Sequence, residues 1–360
     1  MEKLNQIPAE KQISRFPKLS KNLFKNGHKL RKVIQYGFFI TCILIGIQFY
    51  FWYRYYVTGG NSIEVPRPAG AEGFLPLSAL IGIKYWLFTG VFNHVHPAAL
   101  VIFLAILIAS LIFKKSFCSF ICPVGLISEW FWKLGRKLFG RRFVAPYGWR
   151  PSKWIDYPLR SLKYILLAFF VDVILISMNT ATLKAFIESP YNKVADIKML
   201  LFFIRMSSMT FGILLLLAVA SLFISNFWCR YFCPYGALLG ILSFLSPVKI
   251  RRNAATCTNC LACTRVCPAM IKVHKAGTVR SDECTGCMEC VKVCPVKDTL
   301  YVGVVGVKKK ISPRAVALSI LAIFMIFYIG GRLSGYWQSN ISKQDYMYHI
   351  QHIDEYDHLR

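Results

Sequence analysis

Twelve of the thirteen cysteines fall between residues 118 and 294, and their spacing points to metal chemistry. CTNCLACTRVCP begins at Cys257 and CTGCMECVKVCP begins at Cys284. Both read C-x2-C-x2-C-x3-C-P, offset by 27 residues. Thiolates suit the soft irons of a cluster. Three cysteines at i, i+3 and i+6 wrap a tight loop around one [4Fe–4S] cubane, and the fourth, before proline, reaches across to the other cluster. That crossed rule assigns Cys257, Cys260, Cys263 and Cys294 to one cluster and Cys284, Cys287, Cys290 and Cys267 to the second. Structural zinc sites are the alternative, but they present two Cys-x2-Cys pairs separated by a longer spacer.

A second pattern, aromatic-Cys-x-x-x-Cys-Pro-x-Gly, occurs as FCSFICPVG from Phe117 and WCRYFCPYG from Trp228. Cysteines four apart on a helix share a face. Because the motif occurs twice, Cys118, Cys122, Cys229 and Cys233 could converge. Three readings stay open: a further iron–sulfur or metal centre, redox-active thiols, or cysteines incidental to a proline and glycine that end one helix and start the next. Cys42 reads as an ordinary small apolar residue within a helix.

The elements that must position these cysteines are membrane helices. The sequence is 55% apolar, and runs of about 20 apolar residues flanked by Lys and Arg mark spanning segments. Five runs qualify: Val33–Tyr53, Pro97–Phe113, Ser161–Met178, Met209–Trp228 and Ala315–Trp337. Lys and Arg number 9 in residues 1–32, 11 in 114–163 and 14 in 229–314, against 2 in 56–96, 4 in 180–209 and 3 in 332–360. By the positive-inside rule this places the N-terminus and all twelve cysteines in the cytoplasm and the C-terminus outside. The net charge of +27 is therefore a topology signal, and no nucleic-acid partner is expected. A reducing compartment also favours metal ligation over disulfides. The Lys-rich N-terminus lacks the features of a cleavable signal peptide.

The expected architecture is a polytopic α-helical membrane protein with a small α+β two-cluster insert on the cytoplasmic side. Residues 1–32 form a basic segment, and 33–248 a membrane domain of two helix-pair repeats, each ending in CxxxCP. Residues 249–307 form the insert, 308–337 the final span, and 338–360 an extracytoplasmic tail. Both outer segments hold broken apolar stretches, Phe74–Phe92 and Met199–Ile204, the first reading as a re-entrant or interfacial piece. Amphipathic stretches follow each Cys-Pro, at Val124–Phe139 and Tyr235–Leu245, the first suited to the membrane interface.

Quinol oxidation would need proton acceptors beside an apolar cleft. Arg67, Glu72, His94 and His96 in the first outer segment are candidates, with ordinary interfacial packing as the alternative. Asp172 sits within AFFVDVILI, and an intramembrane carboxylate is a functional hypothesis by default. Arg54 and Lys84 are its candidate partners. An outer quinone site would lie a bilayer away from the cysteines, so a deeper site or an additional centre, haem or metal, would be required.

The combination of spans, paired CxxxCP motifs and a two-cluster ferredoxin insert resembles the NapH/NosR-type membrane polyferredoxins, most nearly their short YccM-like electron-transport members, over most of residues 33–335. The resemblance implies a bacterial inner-membrane protein that passes electrons between the quinone pool and a redox partner, through a cytoplasmic carrier or an extracytoplasmic reductase or cytochrome. It implies two [4Fe–4S] clusters and partner subunits. No flavin-attachment motif is present, so no covalent FMN is expected. A rival reading resembles CcoG-type reductases that deliver electrons to a metal ion such as copper. Its discriminator would be Met/His/Cys copper motifs beyond His94-x-His96 and the tail's His349, His352 and His358. A purely structural membrane anchor is a third reading.

Overall fold

The structure, a computed structural model, describes residues 27–140, 143–144, 151–307 and 309–356. The basic run before Gly27 and the tail's His358 lie outside them. Each of the five apolar runs is helical. They correspond to α1 (Gly27–Val57), α3 (Pro97–Phe113), α6 (Lys153–Val171), α10 (Ser208–Phe223) and α15 (Pro313–Leu333). Two of these, α1 and α15, are long and apolar enough to cross a membrane alone. Two helix pairs meet that test only jointly, being bent by 110° after Ser177 and by 81° after Ile204. α3, with 17 residues, is shorter than the ~20 that a span needs. It is apolar all round and sits centrally, with Ala98, Leu100, Phe103, Ile106 and Ala109 all buried, as expected of an enclosed helix. The outward faces of α1, α6, α10 and α15 are apolar too, with Leu44, Phe169, Leu216 and Ile326 exposed. So large an uncovered apolar surface fits lipid.

The repeat is visible in the backbone. After α3 come the single turn α4 (Phe117–Phe120) and the helix α5 (Pro123–Phe139). After α10 come α11 (Phe227–Tyr231) and α12 (Pro234–Leu245). In both repeats the second cysteine is the extended residue before proline, with ψ 120° at Cys122 and 105° at Cys233. Proline forces this on its predecessor and then starts the next helix itself. The motif's glycine lets that helix fold beneath the preceding turn. A Cβ on Gly125 would stand 2.2 Å from the Cys118 carbonyl oxygen, and one on Gly236 3.3 Å from that of Cys229.

The two following helices differ from expectation. α5 is amphipathic, but its tryptophans divide: Trp132 is buried with Arg136 stacked on it, while Trp130 is exposed against Tyr36 and Phe39. α12 is apolar rather than amphipathic. Its small residues Gly236, Ala237, Gly240 and Ser243 are buried, and it packs between α3 and α6, because small residues let helices approach closely.

The outer segments hold α2 (Pro76–Thr89), α7 (Thr180–Glu188), α8 (Pro190–Lys193) and α9 (Ala195–Ile204). Lys84 of α2 is buried and donates to the Ile174 and Met178 carbonyls. Ile174 lies in a π-helical turn, Asp172–Ser177, and Met178 directly follows it, where the looser winding leaves carbonyls free. The tail helix α16 (Lys343–Gln351) returns onto α1, with Tyr346, Ile350 and Ile353 packed against Phe49, Trp52 and Tyr56.

The insert is a three-stranded antiparallel sheet, β1 (Val248–Arg252), β2 (Leu300–Val304) and β3 (Lys310–Ile311), with Val248 paired to Val304 and Val302 to Ile311. Two short helices, α13 (Ala262–Arg265) and α14 (Glu289–Val293), pack against each other.

Candidate functional site

The cysteine loops repeat each other in conformation as well as sequence. Asn259 and Gly286 have φ of 52° and 63°, and Leu261 and Met288 have φ of 60° each. The members of each pair are 27 residues apart, as the motifs are. Left-handed backbone at leucine and methionine is costly and is retained where the surroundings demand it, typically at functional sites. Here it curls each loop around its own centre. One cavity is lined by Cys257, Cys260, Cys263 and Cys294, and a neighbouring one by Cys267, Cys284, Cys287 and Cys290. The structure thus groups the eight thiols into the two crossed sets. Apolar Ile250, Ile271, Val273 and Val279 complete the wall of the second cavity, whereas Cys260 in the first is exposed.

Among the described residues, no three His, Cys, Asp or Glu side chains converge closely enough to share one metal ion. A zinc atom gathers its sulfurs at about 2.3 Å. All eight donors are cysteines, spaced C-x2-C-x2-C-x3-C-P in both loops, a donor set that fits [4Fe–4S] clusters.

The four CxxxCP cysteines lie within one another's electrostatic reach, Cys229 feeling Cys233, Cys118 and Cys122. Burial pushes the Cys118 thiol up to about 11 and the Cys122 thiol up to about 12. Cysteines that react as free nucleophiles have the opposite shift. Beside them two ammonium groups are buried, Lys115 and Lys163. Both face Glu283 of the insert: Lys115 Nζ stands 3.8 Å from Oε2, and Lys163 donates to Oε1. Burial works against the charge on Lys115, but Glu283 and the nearby thiols outweigh it and raise its pKa.

Both repeats grip the insert. From the first, Lys114 Nζ donates to the Ser281 carbonyl at 3.0 Å and Ser119 Oγ to that of Thr285 at 2.7 Å. Arg31 bridges Ser119 O (3.1 Å) and Glu289 Oε1 (2.8 Å). From the second, Arg230 Nη1 donates to the Ala269 carbonyl at 3.1 Å and Ser225 to that of Pro268. Arg230 is in turn held by Asp156, at 2.7 Å. None of these partners was apparent from the sequence. The insert's acidic residues Glu283 and Glu289, each beside a cysteine in a basic region, were the available signal.

The outer candidates separate. Glu72 and His96 come together, fully buried. Glu72 Oε1 accepts from Arg67 Nη1 at 2.7 Å, and Oε2 accepts from the Ala99 amide at 3.2 Å, in the first turn of α3. Arg67 also pairs with Asp196, at 2.6 Å, a residue the sequence reading had passed over. His96 Nε2 donates to the Asn192 carbonyl at 2.6 Å, and Nδ1 lies 3.6 Å from Glu72 Oε1. Burial alone would lower the His96 pKa and raise that of Glu72. Their proximity outweighs this for the histidine, whose pKa is raised, and Arg67 with His96 holds Glu72 low. His94 points elsewhere and is exposed. Asp172 is exposed on the outside of the bundle, where the α-helix ending at Val171 continues as the π turn Asp172–Ser177. Its expected partner Lys84 is taken by the Ile174 and Met178 carbonyls. Tail residues His349 and His352 bond Tyr356 Oη and the Tyr348 carbonyl.

The geometry defines a class, helical proteins that carry iron–sulfur domains against an apolar bundle. A family model described as "4Fe-4S binding domain" matches residues 95–142 and 208–253, the two CxxxCP repeats, and one described as "4Fe-4S dicluster domain" matches 249–295. The chain is 44% identical over 336 residues to "Putative electron transport protein YccM" of Escherichia coli (strain K12), covering 91% of this chain and 92% of that one. It belongs to the YccM family of iron–sulfur electron-transport proteins. More distant relatives are the "Regulatory protein NosR" of Pseudomonas aeruginosa, 29% identical over 46% of this chain and 22% of that one, and the "Ferredoxin-type protein NapH" of Haemophilus influenzae, 28% identical over 43% and 48%. No solved structure matches.

Proposed function

We propose that the chain is an inner-membrane relay, exchanging electrons between the quinone pool and a redox partner. The observation that carries this is the order of its thiol sets. Cys118 and Cys229 share a cavity wall with Cys287. Cys287 belongs to the set of Cys267, Cys284 and Cys290. Cys267, Cys284, Cys290 and Cys263 share one buried core, and Cys263 belongs to the set that ends at the exposed Cys260. The sets form a line from the bundle to the surface of the insert, where a soluble partner can dock.

Cys257, Cys260, Cys263 and Cys294 would hold one [4Fe–4S] cluster, and Cys267, Cys284, Cys287 and Cys290 the second. Cys118, Cys122, Cys229 and Cys233 would hold a further iron–sulfur centre. Such clusters supply reversible one-electron chemistry. The chain's own residues set the conditions: Lys115 and Lys163 put buried positive charge beside the CxxxCP thiols, and the insert is fixed between the two repeats. The Glu72–His96 cluster lies at the other end of α3, whose 17 residues span about 25 Å. With both Glu72 oxygens engaged, that cluster acts as a clamp joining α3, α9 and the first outer segment. Exchange with quinone therefore belongs at the CxxxCP end.

The test is anaerobic purification, iron and acid-labile sulfide analysis, and mixing with a reduced quinol analogue under EPR. Quinol should reduce the clusters of the wild type. The Cys118→Ser/Cys229→Ser variant should retain about eight irons, as two cubanes require, yet fail to be reduced. Clusters that quinol never reduces, or reduces equally in the variant, would overturn the proposal.

A further inference from the structure

A cavity of ≈ 210 Å³ opens where the start of α1, helix α5, the second CxxxC turn and the insert meet. It is far larger than a water site, which needs about 10–15 Å³. Its wall carries seven Lys or Arg side chains against three Glu, so the surplus is strongly positive even with each glutamate ionised. Two donors in that wall are stranded. Arg31 and Gln35 are 2% and 1% exposed, and Arg31 Nε and Gln35 Nε2 have no hydrogen-bond partner among the described residues. Buried donors without partners are costly and call for an acceptor. Trp132 adds a flat aromatic surface. Thiols of two different cysteine sets, Cys118 and Cys229 on one side and Cys287 on the other, complete the wall.

Charge and stranded donors together specify an anion, part of which the cavity encloses. The redox-active wall specifies its kind. We infer that this cavity binds a phosphate-bearing redox carrier, of the flavin mononucleotide or nicotinamide dinucleotide class, held without a covalent bond beside Cys287, Cys118 and Cys229. The inference rests on the relay reading for the carrier's purpose, but binding can be measured independently. A phospholipid phosphate is the other source of the same chemistry, since basic pockets at the cytoplasmic ends of membrane helices also take anionic headgroups.

The experiment is equilibrium dialysis of FMN and of NADH against the full chain in nanodiscs of neutral lipid, with iron counted on the same samples. One of the two probes should bind at about one per chain and weaken as salt is raised. Gln35→Leu and the partly exposed Lys133→Gln should each weaken it by about tenfold, the loss of one charge-assisted or otherwise unshared bond, with iron content unchanged. Iron-replete protein that binds neither probe, or binds with affinity indifferent to both substitutions, would overturn the inference. So would co-purified phospholipid phosphorus that FMN and NADH cannot displace and that Gln35→Leu removes. Binding that persists in protein lacking cluster iron would uphold the site while removing the relay.

Discussion

Exchanging Glu72 for Gln changes one charge in a place with no access to water. The carboxylate takes Arg67 on one oxygen and the Ala99 amide on the other. Glutamine offers a single acceptor oxygen, so either way its NH2 faces a donor. Arg67 keeps Asp196, which limits the damage. Breaking a buried pair from one side costs about 3–5 kcal/mol, and the remaining partner points to about 3 kcal/mol. With unfolding entropy of about 2.1 cal/mol/K per residue, that is a fall of about 4 °C in Tm for 360 residues. The pH dependence carries a second signature. The His96 pKa is raised in the folded state, so its contribution is complete below about pH 6.5, its unfolded value, and is lost as pH rises through the folded value. Thermal unfolding in nanodiscs from pH 6 upward should show an alkaline decline in the wild type and a flatter profile in Glu72→Gln. An unchanged Tm, or an alkaline decline kept in full, would refute the clamp. A variant with intact fold and iron that quinol no longer reduces would make Glu72 a proton-handling residue instead.

Three further outcomes follow from the geometry. Gly125→Ala should disrupt the first CxxxCP turn far more than Gly236→Ala disrupts the second, since the added Cβ meets a carbonyl oxygen at 2.2 Å in one case and 3.3 Å in the other; overpacking costs about 1–3 kcal/mol or more, and protease resistance at the two sites compares them. Lys115→Met should lower the reduction potential of the proposed CxxxCP centre, because the ammonium that neighbours Cys118, Cys229 and Cys233 stabilises added electrons there and its loss removes that attraction. An EPR-monitored redox titration reads this, and an unmoved potential would separate Lys115 from the centre. Asp156→Asn should weaken the grip on Arg230 by about 1.5–3 kcal/mol and reduce iron bound at the CxxxCP set while leaving the two ferredoxin-type sets loaded, as iron counts and EPR would show.

What could be read from the sequence was what depends on local spacing. The cysteine sets, the duplicated CxxxCP turn and the apolar helices are all encoded within short windows, and the structure arranges them accordingly. Long-range pairing was not legible. Nothing near Arg67 announces Asp196, 129 residues later, and Glu283 meets Lys115 and Lys163 only because the insert folds back against both repeats. Periodicity made α12 read as amphipathic, although its glycines and alanine signalled close packing.

The two-sided grip on the insert has a consequence for how the protein is made. The cysteines lining the deeper cavity are closed in by the Ser119–Thr285 and Arg230–Ala269 contacts once the insert seats against the bundle. Access to Cys267, Cys284 and Cys290 is therefore widest before seating, while Cys287 also lies on the wall of the open cavity. In chain order, that interval falls after α12 has been synthesised and before α15 closes against α1 and α3. Loading of the deeper set would then be coupled to the order in which the elements of the chain assemble.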